Sequence, residues 1–172
     1  EIITPFLIKV GFLWQAGTIT PAQEHFASNI IRQKLLVAID GLLPNQNEKS
    51  KSYILFLPEA EQHEIGLLYA YYNLKKHNQL VTYLGANVPL QSVDEINSTH
   101  QADYLVTSFT SSYSGEKIKE YLEKLAGKFK KQTILIFGAL LENYNEDLPG
   151  NVKKINNTSE FQQLIQETTP VN

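Results

Sequence analysis

Residues Glu61-Gln62-His63-Glu64-Ile65-Gly66 put a carboxylate two positions before a histidine and a glycine three positions after it, just behind an apolar run ending at Leu57. A histidine so placed can give a lone pair to a metal, while a carboxylate on its other ring nitrogen fixes the tautomer and raises the basicity of the ligating one. A bare transition metal needs about three or four protein ligands. The chain has four histidines, at positions 25, 63, 77 and 100, no cysteine and no His-x-x-x-His pair. One histidine therefore makes chemical sense as the axial ligand of a metal whose other positions a macrocycle fills, as in haem or a corrin. Gly66 would let a helix backbone lie close to such a ring. Neither the Gly-x-Gly-x-x-Gly fingerprint nor a phosphate-binding Gly-Lys-Ser/Thr loop occurs, so nucleotide phosphate cradles have no support.

The elements that must position His63 read as alternating strands and helices. Apolar runs at Tyr53–Leu57, Leu80–Leu84, Tyr104–Phe109 and Thr133–Phe137, with a weaker one at Val152–Ile155, predict strands. Helical patterns fall at Gln62–Lys76, Leu90–Thr99, Ser114–Phe129 and Ser159–Glu167, with a turn or short helix near Leu140–Tyr144. Strands apolar on both faces and separated by helices predict an α/β fold, a flavodoxin-like, doubly wound parallel five-stranded sheet. Such sheets bind ligands beyond the carboxyl ends of their strands, where the strand order reverses. The loops after Leu57, Leu84, Phe109 and Phe137 are the places to search.

The first 42 residues are helical in pattern. Phe6, Leu7, Val10 and Leu13 keep a helical period up to Gly17, and Thr20-Pro21-Ala22-Gln23 starts a second helix with a capping Thr, Pro at the first turn and Gln three residues on. That helix runs through Phe26, Ile30, Ile31, Leu35 and Ile39 to Gly41. Two amphipathic helices alone would expose apolar faces, so part of a helical bundle is expected over residues 1–42, a polar linker over 43–52 and a Rossmann-like domain over 53–172. The chain opens on Glu1 in an apolar run without a starting methionine, and reads as a piece of something longer.

Composition excludes several classes. Among 172 residues, 42% are hydrophobic and 19% charged, which suits a folded domain rather than a disordered tail. The net charge of -3, with no basic run, argues against nucleic-acid binding by this stretch alone. No apolar run approaches the ~20 residues that span a bilayer, and the lack of cysteine suits a cytoplasmic setting. His77 and His100 read as solvated surface residues, Tyr69, Tyr71 and Tyr72 as packing, and Lys128, Lys130 and Lys131 as a solvated helix end.

Glu61-x-His63-x-x-Gly66 resembles the cobalamin-binding signature Asp-x-His-x-x-Gly, with Ser108-Phe109-Thr110 and Gly138-Ala139 matching its later Ser-x-Leu/Thr and Gly-Gly elements. Trp14, followed after nine residues by Glu24-His25, resembles the cap of cobalamin-binding regulators of the MerR type, including light-responsive ones. The resemblance implies a metal-ligand role for His63, which would replace the cofactor's own base on cobalt, with Glu61 and Ser108 continuing a hydrogen-bond relay. It implies a nucleotide tail buried near Ser108, Thr110, Gly138 and Ala139, and further cofactor contacts from Gln62, Glu64, Ile65, Gly66, Gly85 and Val88. Trp14, Glu24 and His25 would face the upper ligand of adenosylcobalamin or methylcobalamin. Two departures stand out: Ala139 for the second Gly, and Gln15 where photoreceptor members carry a His. The function implied is a non-enzymatic cobalamin sensor of a transcriptional regulator, contacting DNA only through a missing N-terminal domain, away from membranes and as a homo-oligomer. A corrinoid carrier domain of a methyltransferase is the alternative.

Overall fold

A computed structural model of the chain describes residues 20–43, 45 and 50–168. The first predicted helix, with Trp14 and Gln15, lies outside them, as do five of the ten predicted linker positions. The chain divides into two compact units, Glu1–Gly41 and Leu42–Asn172.

In the first unit, helix α1 spans Pro21–Asp40. Its start follows from the sequence: Gln23 N–H donates to Thr20 Oγ1 at 3.3 Å, and Thr20 N–H donates to Gln23 Oε1 at 2.8 Å. This reciprocal cap, with Pro21 where no amide is needed, satisfies orphan groups of the first turn. Leu35 and Ile39 are buried, whereas Phe26 (71% exposed), Ile30 and Val37 are not, so the apolar positions of this helix are not all in a core.

The second unit holds β1 (Ser52–Pro58), α2 (Ile65–Lys76), β2 (Leu80–Val88), α3 (Leu90–His100), β3 (Tyr104–Ser108), α4 (Gly115–Lys128), β4 (Thr133–Phe137), a 3-10 turn (Ala139–Leu141), β5 (Val152–Lys154) and α5 (Thr158–Thr168). All pairings are parallel and the strand order is β2-β1-β3-β4-β5. This is the α/β arrangement expected, with its reversal of direction between β1 and β3.

Strand residues alternate between two layers. Ile54, Phe56, Leu105, Ile134 and Ile136, with Phe109 just past the end of β3, pack with α3 and α4 residues such as Val93, Ile118, Leu122 and Leu125. Tyr53, Leu55, Leu57, Val106 and Leu135 pack with Leu67, Leu74, Phe161 and Ile165 of α2 and α5. Burial on both faces is why these strands read as continuous apolar runs.

Among the strands and main helices, two boundaries differ from expectation by three residues or more. Helix α2 begins at Ile65 rather than Gln62, because residues 59–64 wrap around the Glu61 carboxylate instead of entering the helix. Strand β2 continues to Val88, past a register shift opposite Phe56, so Gly85 and Val88 lie in a strand rather than in a loop. Val88 is buried in the α3/α4 layer, which removes it from the loop surface predicted for it.

Candidate functional site

The site stands at the switch point, where the loop after β1 meets the loop after β3. Glu61 is fully buried there. Its Oε1 accepts from the backbone amides of Gln62 (3.0 Å) and His63 (3.2 Å) and lies 2.7 Å from His63 Nδ1. Its Oε2 accepts from the amides of Thr110 (2.9 Å), Ser111 (3.1 Å) and Ser112 (3.4 Å). Consecutive amides converging on one oxygen form an anion-holding nest, here filled by the protein's own carboxylate. Burial works to raise the Glu61 pKa, but the amide of Thr110, the His63 ring and the amide of Ser111 outweigh it and hold it at about 2.

The charge state of Glu61 dictates the histidine tautomer. An ionised carboxylate only accepts, so Nδ1 of His63 must carry the hydrogen, and the lone pair of the neutral ring sits on Nε2. Ser111 Oγ lies 3.1 Å from Nδ1 as a second neighbour. The His63 side chain is 56% exposed, and Nε2 has no hydrogen-bond partner among the described residues. The result is a rigidly backed imidazole with an outward-facing donor atom. Among the described residues no group of three or more His, Cys, Asp or Glu could hold a bare metal ion.

The surrounding loop is braced from several sides. Ala60, at φ 68, donates its amide to Asn87 Oδ1 (2.9 Å), and Asn87 N–H donates to the Glu61 carbonyl (3.2 Å). The Tyr113 hydroxyl donates to the Glu59 carbonyl (2.8 Å), and that of Tyr83 donates to Glu64 Oε2 (2.8 Å). Gln62 is exposed, while Glu64 and Ile65 are half-buried.

Gly138 and Gly66 close the remaining side. Gly138 has φ 121, and a Cβ there would stand 2.3 Å from the Phe109 carbonyl oxygen, so no other residue fits. Ala139 follows at the exposed start of the 3-10 turn, its methyl outward rather than in the core. Gly66 lies against the Phe137 ring, 3.1 Å from Cε2 to a notional Cβ.

The Ser108 relay is corrected by the geometry. Ser108 is still within β3, its side chain faces the α2/α5 layer, and its buried Oγ has no hydrogen-bond partner. The nest at 110–112 and Ser111 Oγ meet the Glu61–His63 pair instead. Ser111, Ser112, Asn87 and Tyr113 were not singled out from sequence. The Ser/Thr-rich stretch Thr107–Ser114 was a visible hint, but the amides that matter carry no side-chain signature. Nor are His77 and His100 unpartnered, since each Nδ1 meets a carbonyl of its own helix, Asn73 at 2.8 Å and Ile96 at 3.2 Å.

On α1, Ser28 Oγ donates to Glu24 Oε1 at 2.5 Å, and His25 Nδ1 lies 3.4 Å from Glu24 Oε2. The two predicted cap residues are therefore adjacent and polar. Trp14 falls outside the described residues.

A family model described as a B12 binding domain matches residues 1–38. The chain is 31% identical over 125 residues to the HTH-type transcriptional repressor CarH of Myxococcus xanthus, which takes in 73% of this chain and 41% of that protein. It is 32% identical over 102 residues to the HTH-type transcriptional repressor CarA of the same organism, taking in 59% of this chain and 35% of that one. It thus spans well under half the length of these relatives. Among solved structures, the monomethylamine corrinoid protein of Methanosarcina barkeri matches with a TM-score of 0.70 at 22% identity, over 94% of this chain and 77% of that one. The methanol:cobalamin methyltransferase complex from Methanosarcina barkeri matches with a TM-score of 0.56 at 17% identity, over 96% of this chain and 66% of that one. These likenesses show the fold. By sequence and fold together, the chain is a homologue of the CarH and CarA repressors with the α/β architecture of corrinoid proteins.

Proposed function

We propose that the chain is a cobalamin-binding sensor module of a transcriptional regulator, and that His63 is the protein ligand to cobalt. The observation that carries this is the Glu61–His63 pair at the switch point, with Nε2 outward and Nδ1 backed by a buried anion. The donor set suits a macrocyclic metal: one imidazole is offered, and no second or third ligand stands beside it among the described residues. The unpartnered Ser108 Oγ and the Gly138 backbone, where a Cβ would strike Phe109, suit a ligand that extends beside the sheet.

When bound, cobalamin supplies a cobalt–carbon bond that light or chemistry can break. The protein's residues do the rest. Glu61 holds the Nδ1 hydrogen and so keeps the Nε2 lone pair available, and the amides of residues 110–112 keep Glu61 ionised and immobile. Trp14, Glu24 and His25 would be the residues of the helical unit that respond to loss of the cofactor's alkyl group, which would shift the packing of that unit, and with it assembly and DNA affinity, between two populations. The DNA contact would come from a domain beyond this chain. The sensor reading is favoured over the methyl-carrier alternative because the sequence matches near 30% identity are repressors.

The test is binding of adenosylcobalamin in the dark, followed by desalting and an absorbance spectrum. The chain should retain a cofactor with the spectrum of a histidine-ligated cobalamin, and His63→Ala should lose retention or that spectrum. Unchanged affinity and spectrum in His63→Ala would overturn the assignment. Illumination should then change the spectrum and the apparent mass; a spectral change with no change in assembly would remove the light-driven part.

A further inference from the structure

Ser108 and Phe137, the last residues of β3 and β4, are register partners, so their side chains stand side by side on the face that packs against α2 and α5. Ser108 is 1% exposed and its Oγ has no partner. The Phe137 ring is half-buried and leans on the first turn of α2, its Cε2 only 3.1 Å from where a Cβ on Gly66 would be. The ring thus fills the slot between the start of α2 and the carboxyl ends of β3 and β4, next to a hydroxyl that has nothing to bond. Buried hydroxyls in settled interiors nearly always have a partner, and an exception at a sheet's carboxyl edge points to a ligand group.

We infer that Phe137 is a specificity-determining residue, a ring that occupies the slot into which the nucleotide tail of a corrinoid inserts once His63 has displaced the tail's base from cobalt. The inference rests on the cobalamin reading. A planar aromatic base shares the flat, apolar shape of the phenyl ring but is larger, so it can enter only where the ring has swung away, and the polar link behind it would give Ser108 Oγ its missing partner. A tailed corrinoid must turn Phe137 out of the slot, whereas a tailless one need not. Phe137 therefore selects against the tail, and the cost falls on tail entry alone.

The test compares cobalamin with cobinamide, which keeps the corrin ring but lacks the nucleotide tail, on the wild-type chain, Phe137→Ala and Phe137→Leu. Dissociation constants come from absorbance titration and association rates from stopped flow, with circular dichroism melts to establish folding. In Phe137→Ala, cobalamin should bind about tenfold more tightly relative to cobinamide, a factor worth ~1.4 kcal/mol, and should associate faster while cobinamide does not. Phe137→Leu, which keeps an apolar strand end, should shift the same way by less, and serves if the Ala variant does not fold. A cobalamin-to-cobinamide ratio unchanged or lowered in both variants would overturn the gate while leaving His63 ligation standing. Failure of the wild-type chain to bind either corrinoid would overturn the cobalamin reading and the gate together.

Discussion

Replacing Glu61 with Gln removes the charge at the centre of the site while keeping its shape. The side chain is fully buried, so solvent does little to screen what it gains from its donors. Holding this carboxyl at about 2 rather than its ordinary 4.5 corresponds to roughly 3 kcal/mol in favour of the folded state near neutral pH. Gln cannot replace this, because one end of its amide donates and must oppose either the amides of Thr110, Ser111 and Ser112 or those of Gln62 and His63 with the ring. The folded-state pKa lies below the unfolded one, so the carboxylate's stabilisation is complete above about 4.5 and drains away as pH falls towards 2. Urea unfolding of both proteins should show Glu61→Gln less stable by about 3 kcal/mol at pH 7, with a much smaller gap at pH 3. A gap under about 1 kcal/mol at pH 7, or one that stays constant with pH, would mean that the ionised carboxylate does not stabilise the fold in this way.

Gly138→Ala should cost more than about 2 kcal/mol, since it adds a methyl group against the Phe109 carbonyl at a positive φ; a melting temperature equal to wild type would contradict this. Thr20→Ala should lose about 1 kcal/mol of helix stability at the start of α1 and speed amide exchange in its first turn, leaving exchange in the sheet unchanged. Burial pushes the Tyr53 and Tyr121 phenols up, with a Thr168 hydrogen bond opposing it at Tyr53 and Tyr113 and Glu59 adding to it at Tyr121. Their folded-state values lie above the unfolded one, so the stability they contribute is full below about pH 10 and is lost as pH rises through the folded values. An alkaline absorbance titration should therefore leave these two neutral after exposed tyrosines have ionised, and one shared transition for all nine tyrosines would count against the burial argument.

The parallel sheet was legible because its strands are apolar on both faces, as at Ile134–Ile136, and because turns and polar helix faces separate them. The start of α1 was legible because Thr20, Pro21 and Gln23 each have one physical reason to stand there. The start of α2 was misplaced because Gln62 and Glu64 carry good helix formers in a segment that Glu61 holds open. Glu61 and His63 could be found from side-chain chemistry alone. The nest around Glu61 could not, because the amides of Thr110, Ser111 and Ser112 would read the same with almost any side chains attached. Asn87 was missed for a related reason: its value lies in tolerating φ 56 while its amide oxygen reaches Ala60, and both belong to the tertiary fold.

Ligation of cobalt through Nε2 of His63 would leave a signature in the electron paramagnetic resonance spectrum of bound cob(II)alamin. The axial nitrogen splits the cobalt lines through its nuclear spin, into three with the common isotope and two with nitrogen-15. The chain labelled with nitrogen-15 histidine should give doublets, and the same labelled chain carrying His63→Ala should not. Triplets unchanged by labelling would mean that the cofactor's own base still holds the cobalt and that His63 is not its ligand.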